Sequence, residues 1–140
     1  MTEGTSKSTL RRSSSDCGSE LVEMAIVLPI FILLIMGIMD FGFLFQRYEL
    51  VVNSAREAAR LAVADDTISD TDVEQRALNY LVNAGLPGTA TANAAPSTMT
   101  VSGVPIATRT VTVTYSSDFL FLPGSVNLQG VSVMRVQAGS

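Results

Sequence analysis

The chain has 140 residues and a formal net charge of −4, with no histidine, no tryptophan and a single cysteine, Cys17. The acidic balance excludes the basic stripe that a nucleic-acid partner requires, and the lone cysteine excludes an intrachain disulfide or a multi-cysteine metal site. The missing histidine removes the commonest general base and the commonest metal ligand together.

Residues 1–20, "MTEGTSKSTLRRSSSDCGSE", are polar, rich in Ser and Thr, and lack apolar periodicity. This composition predicts a disordered leader. Arg11 and Arg12 stand just before an apolar run and favour keeping this end in the cytoplasm. Residues 24–39 carry no charge, and apolar residues continue past Asp40 to Phe45. Counted from Leu21 to Phe45, a helix at ~1.5 Å per residue crosses a hydrocarbon core of ~30 Å. The strictly uncharged part alone is short for a span. Pro29 falls inside it, at the cost of one backbone donor and with a tendency to kink, although membrane helices tolerate proline.

From Gln46 to Ala64 the pattern becomes amphipathic. Leu44, Tyr48, Val51, Val52, Ala55, Ala59, Ala62 and Val63 recur at helical spacing, with charges off that stripe. No glycine or proline interrupts residues 43–64, so one helix is expected from about 21 to 64. Its stripe is small (Ser54, Ala55, Ala58, Ala59, Ala62), which lets another element come close to the axis. A second helix follows. Thr71 and Glu74 have capping-box spacing, Gly85 and Pro87 supply a stop, and Val73, Ala77, Leu78, Leu81 and Val82 form the buried face.

"TATANAAPST" reads as a small-residue loop. Residues 99–102, 109–116 and 131–137 then read as strands, punctuated by Gly103, Pro105, Pro123, Gly124 and Gly130. Val111, Val113 and Tyr115 face one way; Thr110, Thr112 and Thr114 face the other. The expected fold class is α+β: a long N-terminal helix, membrane-embedded and then amphipathic, plus a short helix and a small, three-stranded, mostly antiparallel sheet resting on the long helix. The expected division is 1–18 leader, 19–45 hydrophobic helix and 46–140 extracytoplasmic domain.

Several ordinary readings of the apolar segment fit poorly. A secretory signal would end in a small-residue cleavage site, whereas "MGIMDFGFLFQRY" is bulky. A lipoprotein signal would place the cysteine after the apolar core, not before it. A plain anchor gives no role to Gly18 or Glu23. Together, Gly18, the residues "SELV", Glu23 and the apolar run resemble the class III signal of type IV pilins. The resemblance implies cleavage by a prepilin peptidase between Gly18 and Ser19, which places Glu23 at the fifth mature position and Met24 at the sixth, where aromatic residues are common. Leu28-Pro29, Gly37, Asp40 and the run Ala55-Arg56-Glu57-Ala58-Ala59-Arg60 further resemble TadE-like pseudopilins of Tad/Flp pilus systems. What this implies is a minor pilin or pseudopilin in the bacterial inner membrane, N-terminus inside, and then in a pilus at the cell surface. The implied partners are the peptidase, other pilins, and an assembly platform with its ATPase.

The α-ammonium freed on Ser19 could pair with Glu23 of a neighbouring subunit. Such pairing sets register even where its net energy is small. Pro29 is either a tolerated kink or an aid to bending during assembly. Asp40 is expected at the far interface, near Arg47 and Tyr48, in preference to a second buried acid. Asp70, Asp72 and Glu74 imitate the start of a calcium loop, but Gln75 stands where glycine is needed, and acids suit a first helical turn anyway. No metal and no other cofactor is expected. Phe119, Leu120, Phe121 and Leu122 are expected in the core; exposed, they would be a contact site. With no histidine and one lysine, Lys7, no catalytic site is expected. The rival readings are an unprocessed single-pass envelope protein with a binding domain, and an enzyme domain on an anchor.

Overall fold

The computed structural model describes residues 14–64, 67–86 and 89–136. The expectations on Lys7, Arg11, Arg12, the side chain of Cys17, Pro87 and Gln137 lie outside the described residues. Five elements follow in order: α1 (Ser14–Ala64), α2 (Asp70–Asn83), β1 (Ala90–Val101), β2 (Val104–Asp118) and β3 (Ser125–Arg135). The sheet is antiparallel throughout, in the order β1-β2-β3. The fold is α+β, as the sequence patterning predicts.

α1 begins at Ser14, earlier than expected, so the predicted disorder is corrected over residues 14–20. Only Gly18 opposes the helix here, at about 1 kcal/mol. With a long helix already nucleated downstream, each added residue only propagates it.

Every residue from 18 to 35 is exposed. Met36 and Gly37 are the first that are half-buried, and from Val51 onward the small stripe is fully buried. Val51, Ala55, Ala58, Ala59 and Ala62 pack against Val73, Ala77 and Leu81 of α2 and against Ala94, Val111, Val113, Tyr115 and Leu128 of the sheet. The small side chains bring β3 almost onto the helix backbone. A Cβ on Gly130 would lie 2.8 Å from the Val51 carbonyl oxygen. Gly130 is therefore a site of close approach inside β3, not the strand punctuation expected.

α2 is set by caps at both ends. Its N-cap is Ser69, whose Oγ accepts from the Asp72 amide (3.2 Å) and donates to Asp72 Oδ2 (2.7 Å). The expected box at Thr71 and Glu74 is thus displaced two residues upstream. At the other end Leu86 N–H donates to the Leu81 carbonyl and Gly85 N–H to that of Val82, with Gly85 at φ +80°. This is a Schellman closure, with Leu86 and Leu81 meeting in the core. Val73, Ala77 and Leu81 are buried, Leu78 is half-buried, and Val82 is exposed, contrary to expectation.

The predicted small-residue loop is corrected to strand: residues 90–98 pair with β2 in unbroken register, from Ala90 opposite Tyr115 to Thr98 opposite Ala107. β1 is an edge strand, which is where Pro96 is tolerated. Ser102 and Gly103 close the hairpin with positive φ at both positions, the requirement of a type I′ turn. Val111, Val113 and Tyr115 face the core as predicted.

Candidate assembly segment and its junction with the domain

The residues singled out for processing and assembly all lie on the bare half of α1. Gly18 is helical and exposed, with nothing within 4 Å of where a Cβ would stand. Ser19 and Glu23 are exposed one helical turn apart. Pro29 lies inside α1, which remains helical on both sides. By length and composition α1 is long and apolar enough to cross a membrane. Its exposed face includes Leu21, Ile26, Ile30, Phe31, Leu33 and Leu34, large apolar side chains left uncovered by the described residues. Such an uncovered belt calls for lipid or other subunits.

Asp40 ends this belt. It is only 2% exposed: of the two readings, the interface near Arg47 and Tyr48 or a second buried acid, the burial is that of the second. Its Oδ1 accepts from the amides of Leu120 (2.7 Å) and Phe121 (3.1 Å). Its Oδ2 accepts from those of Phe121 (3.2 Å) and Leu122 (2.8 Å). Two turns along α1, Arg47 Nη1 donates to Ser117 Oγ (2.7 Å) and to the Asp118 carbonyl (2.9 Å). The segment joining β2 to β3 therefore runs down the helix towards the belt, held first by a cation and then by an anion.

The four apolar residues of that segment are not core. Phe119 is half-buried, while Leu120, Phe121 and Leu122 are 59%, 43% and 37% exposed. The physical reason is the direction of the backbone. Three consecutive amides turn to one carboxylate, so the side chains turn outward. Sequence patterning missed this pairing because Asp40 and Leu120 are 80 residues apart. The available signal was an acid in an apolar helix together with an apolar run ending in Pro-Gly.

The acids near α2 go to separate partners. Asp70 pairs with Arg109, Asp72 serves the Ser69 cap, and Glu74 Oε1 accepts from the Ala94 amide (3.0 Å). Among the described residues no cluster of three or more potential ligands could hold a metal. Arg109, which the sequence reading did not single out, also donates to the Ala62 (3.2 Å) and Ile68 (3.3 Å) carbonyls. It ties the end of α1, the start of α2 and the central strand together. Glu57 accepts from Arg60 within α1 and from Arg76 of α2 (3.0 Å). The Arg76 hydrogen bond, then that of Arg60, holds its carboxyl below the usual glutamate range.

The family described as TadE-like protein matches residues 18–60. No curated protein and no solved structure matches the chain. The matched stretch opens on Gly18 and runs through the apolar belt, Asp40 and most of the small-residue stripe. The chain is thus TadE-like over residues 18–60, the part that bears the belt and seats the sheet.

Proposed function

We propose that this chain is a minor pilin or pseudopilin of a Tad/Flp-type pilus, with a structural rather than an enzymatic role. In this reading residues 1–18 face the cytoplasm, and the hydrophobic helix of residues 19–45, which carries the belt, holds the precursor in the inner membrane. A prepilin peptidase cuts between Gly18 and Ser19. The mature helix then passes into a filament of other pilins through an assembly platform and its ATPase. The observation that carries the reading is the TadE-like match beginning at Gly18 on a helix whose first half is left exposed by the described residues. In a bundle of such helices, the Ser19 ammonium of one copy meets Glu23 of the next.

One observation favours the rival, an unprocessed single-pass envelope protein with an extracytoplasmic binding domain. The Gly18–Ser19 bond lies within continuous helix. Hydrolysis needs that turn unwound, and Gly18 lowers the cost of unwinding by about 1 kcal/mol relative to alanine. N-terminal sequencing of the membrane-extracted protein decides between the two readings. Processing gives a mature chain starting at Ser19, and Gly18→Leu blocks it. A leader retained in a host that has the peptidase would sink the pilin reading. Glu23→Ala should leave cleavage intact and reduce incorporation into pili. Unchanged pili would remove the ammonium–carboxylate pairing alone.

A further inference from the structure

We propose that the loop of residues 119–124, "FLFLPG", is a lipid-contacting foot that enters the outer interface of the bilayer beside α1, with Asp40 as the buried acceptor that makes this possible. The proposal rests on the reading that the belt of α1 spans a membrane.

Three observations lead there. The first is position. The uncharged part of α1, residues 24–39, spans roughly 24 Å, less than a hydrocarbon core of ~30 Å. Asp40 is where it ends, and Leu120, Phe121 and Leu122 are fastened at that level with their side chains exposed. Phe41, Phe43 and Phe45 are exposed on the helix just beyond. Loop and helix thus form one continuous apolar surface, which thickens the short belt on its outer side.

The second is the state of the backbone. An irregular segment is excluded from hydrocarbon chiefly by its free polar groups. Here Phe119 N–H donates to the Gly124 carbonyl (3.1 Å). The amides of Leu120, Phe121 and Leu122 all donate to Asp40. Pro123 has no amide hydrogen. No N–H from 119 to 123 is left unpaired, which removes the donor half of that cost.

The third is the carboxylate. An acid at this depth is costly unless it is shielded and supplied with donors. The loop does both, so Asp40 and the foot solve each other's problem. A second copy of the chain could cover the same side chains, but continuity with the belt favours lipid.

The absence of tryptophan allows a direct test. Single-tryptophan variants of the full chain, Phe121→Trp and Phe31→Trp, are reconstituted in phosphatidylcholine vesicles whose acyl chains are brominated either near the headgroup or near the chain end. Phe121→Trp is expected to emit at short wavelength and to be quenched most by the shallow bromines. Phe31→Trp is expected to be quenched most by the deep ones. Adding Asp40→Ala should abolish quenching at position 121 and leave it unchanged at 31. Unquenched, long-wavelength emission at 121 with normal quenching at 31 overturns the foot and spares the span. Loss of quenching at 31 overturns both. Short-wavelength emission at 121 that ignores bromine but fades as vesicles are diluted in protein assigns the surface to a second copy and overturns the lipid contact.

Discussion

Gly130 marks the tightest contact between the long helix and the sheet. A Cβ there would stand 2.8 Å from the Val51 oxygen and 2.9 Å from Val52 Cα, both backbone atoms that cannot swing aside. Gly130→Ala should therefore push β3 off α1 and cost roughly 1–3 kcal/mol, as overpacking does. At Gly42 a Cβ meets nothing within 4 Å, and Gly42→Ala should be neutral or slightly favourable. Urea titration of the detergent-solubilised chain, followed by the near-ultraviolet dichroism of its tyrosines, checks the contrast. The small residues at 54–62 announced that something would approach the helix. That Gly130 is the residue which does so was hidden, because a glycine between two strand-like stretches reads equally well as a turn.

At the scale of elements, α1 and α2 are joined at the surface by Glu57, placed between Arg60 and Arg76. Because its folded pKa is lowered, the unfolded chain binds more protons as the medium is acidified. The contribution of this ion pair is fully present above the ordinary glutamate value of about 4.3 and is lost as pH falls through the lowered folded value. Glu57→Gln should be less stable than the parent at neutral pH, and the difference in urea midpoint should close on acidification. A constant difference would show that the pairing contributes nothing pH-dependent. Elements with a buried face were legible in the sequence: α2 through Val73, Ala77 and Leu81, and β2 through Val111, Val113 and Tyr115. β1 was not, because its inward-facing residues are Ala90, Ala92 and Ala94, of which only Ala94 is buried, and so small an apolar face reads as a loop. Its strand conformation comes from pairing with β2, a non-local cause that composition does not carry. The 119–122 run misled for the opposite reason. Its hydrophobicity is plain, but its orientation is imposed by Asp40.

The whole molecule has two ends of different character. The bare belt lies at one end. At the other, the β1–β2 hairpin continues past Arg109, which is already level with the end of α1, to the exposed Met99, Val101 and Val104 around its turn. The TadE-like match covers the belt and the helical side of its junction, whereas α2 and the whole sheet lie beyond it. A helix long and apolar enough to cross a membrane, its amphipathic continuation and the family resemblance were all legible from residues 18–64, since hydropathy and helical spacing are local signals. The fastening of domain to belt at Asp40 and Arg47 was not, because it joins segments far apart in the chain.

That α1 is one helix from Ser14 to Ala64 also fixes a compass bearing. From residue 23 to residue 40 the axis turns through about 17 steps of ~100°, so the Glu23 and Asp40 carboxylates point roughly 100° apart around it. Since Asp40 is clamped to the domain, the heading of Glu23 is set relative to the sheet as well. A single alanine inserted between Leu33 and Leu34 should swing that heading by ~100°. It should leave the urea midpoint of the domain unchanged yet, if the proposed pilin role holds, abolish incorporation into pili. Seven inserted residues return the heading to within ~20° but lengthen the shaft by ~10 Å. A pilus that accepts the longer insertion and refuses the shorter reads direction above depth.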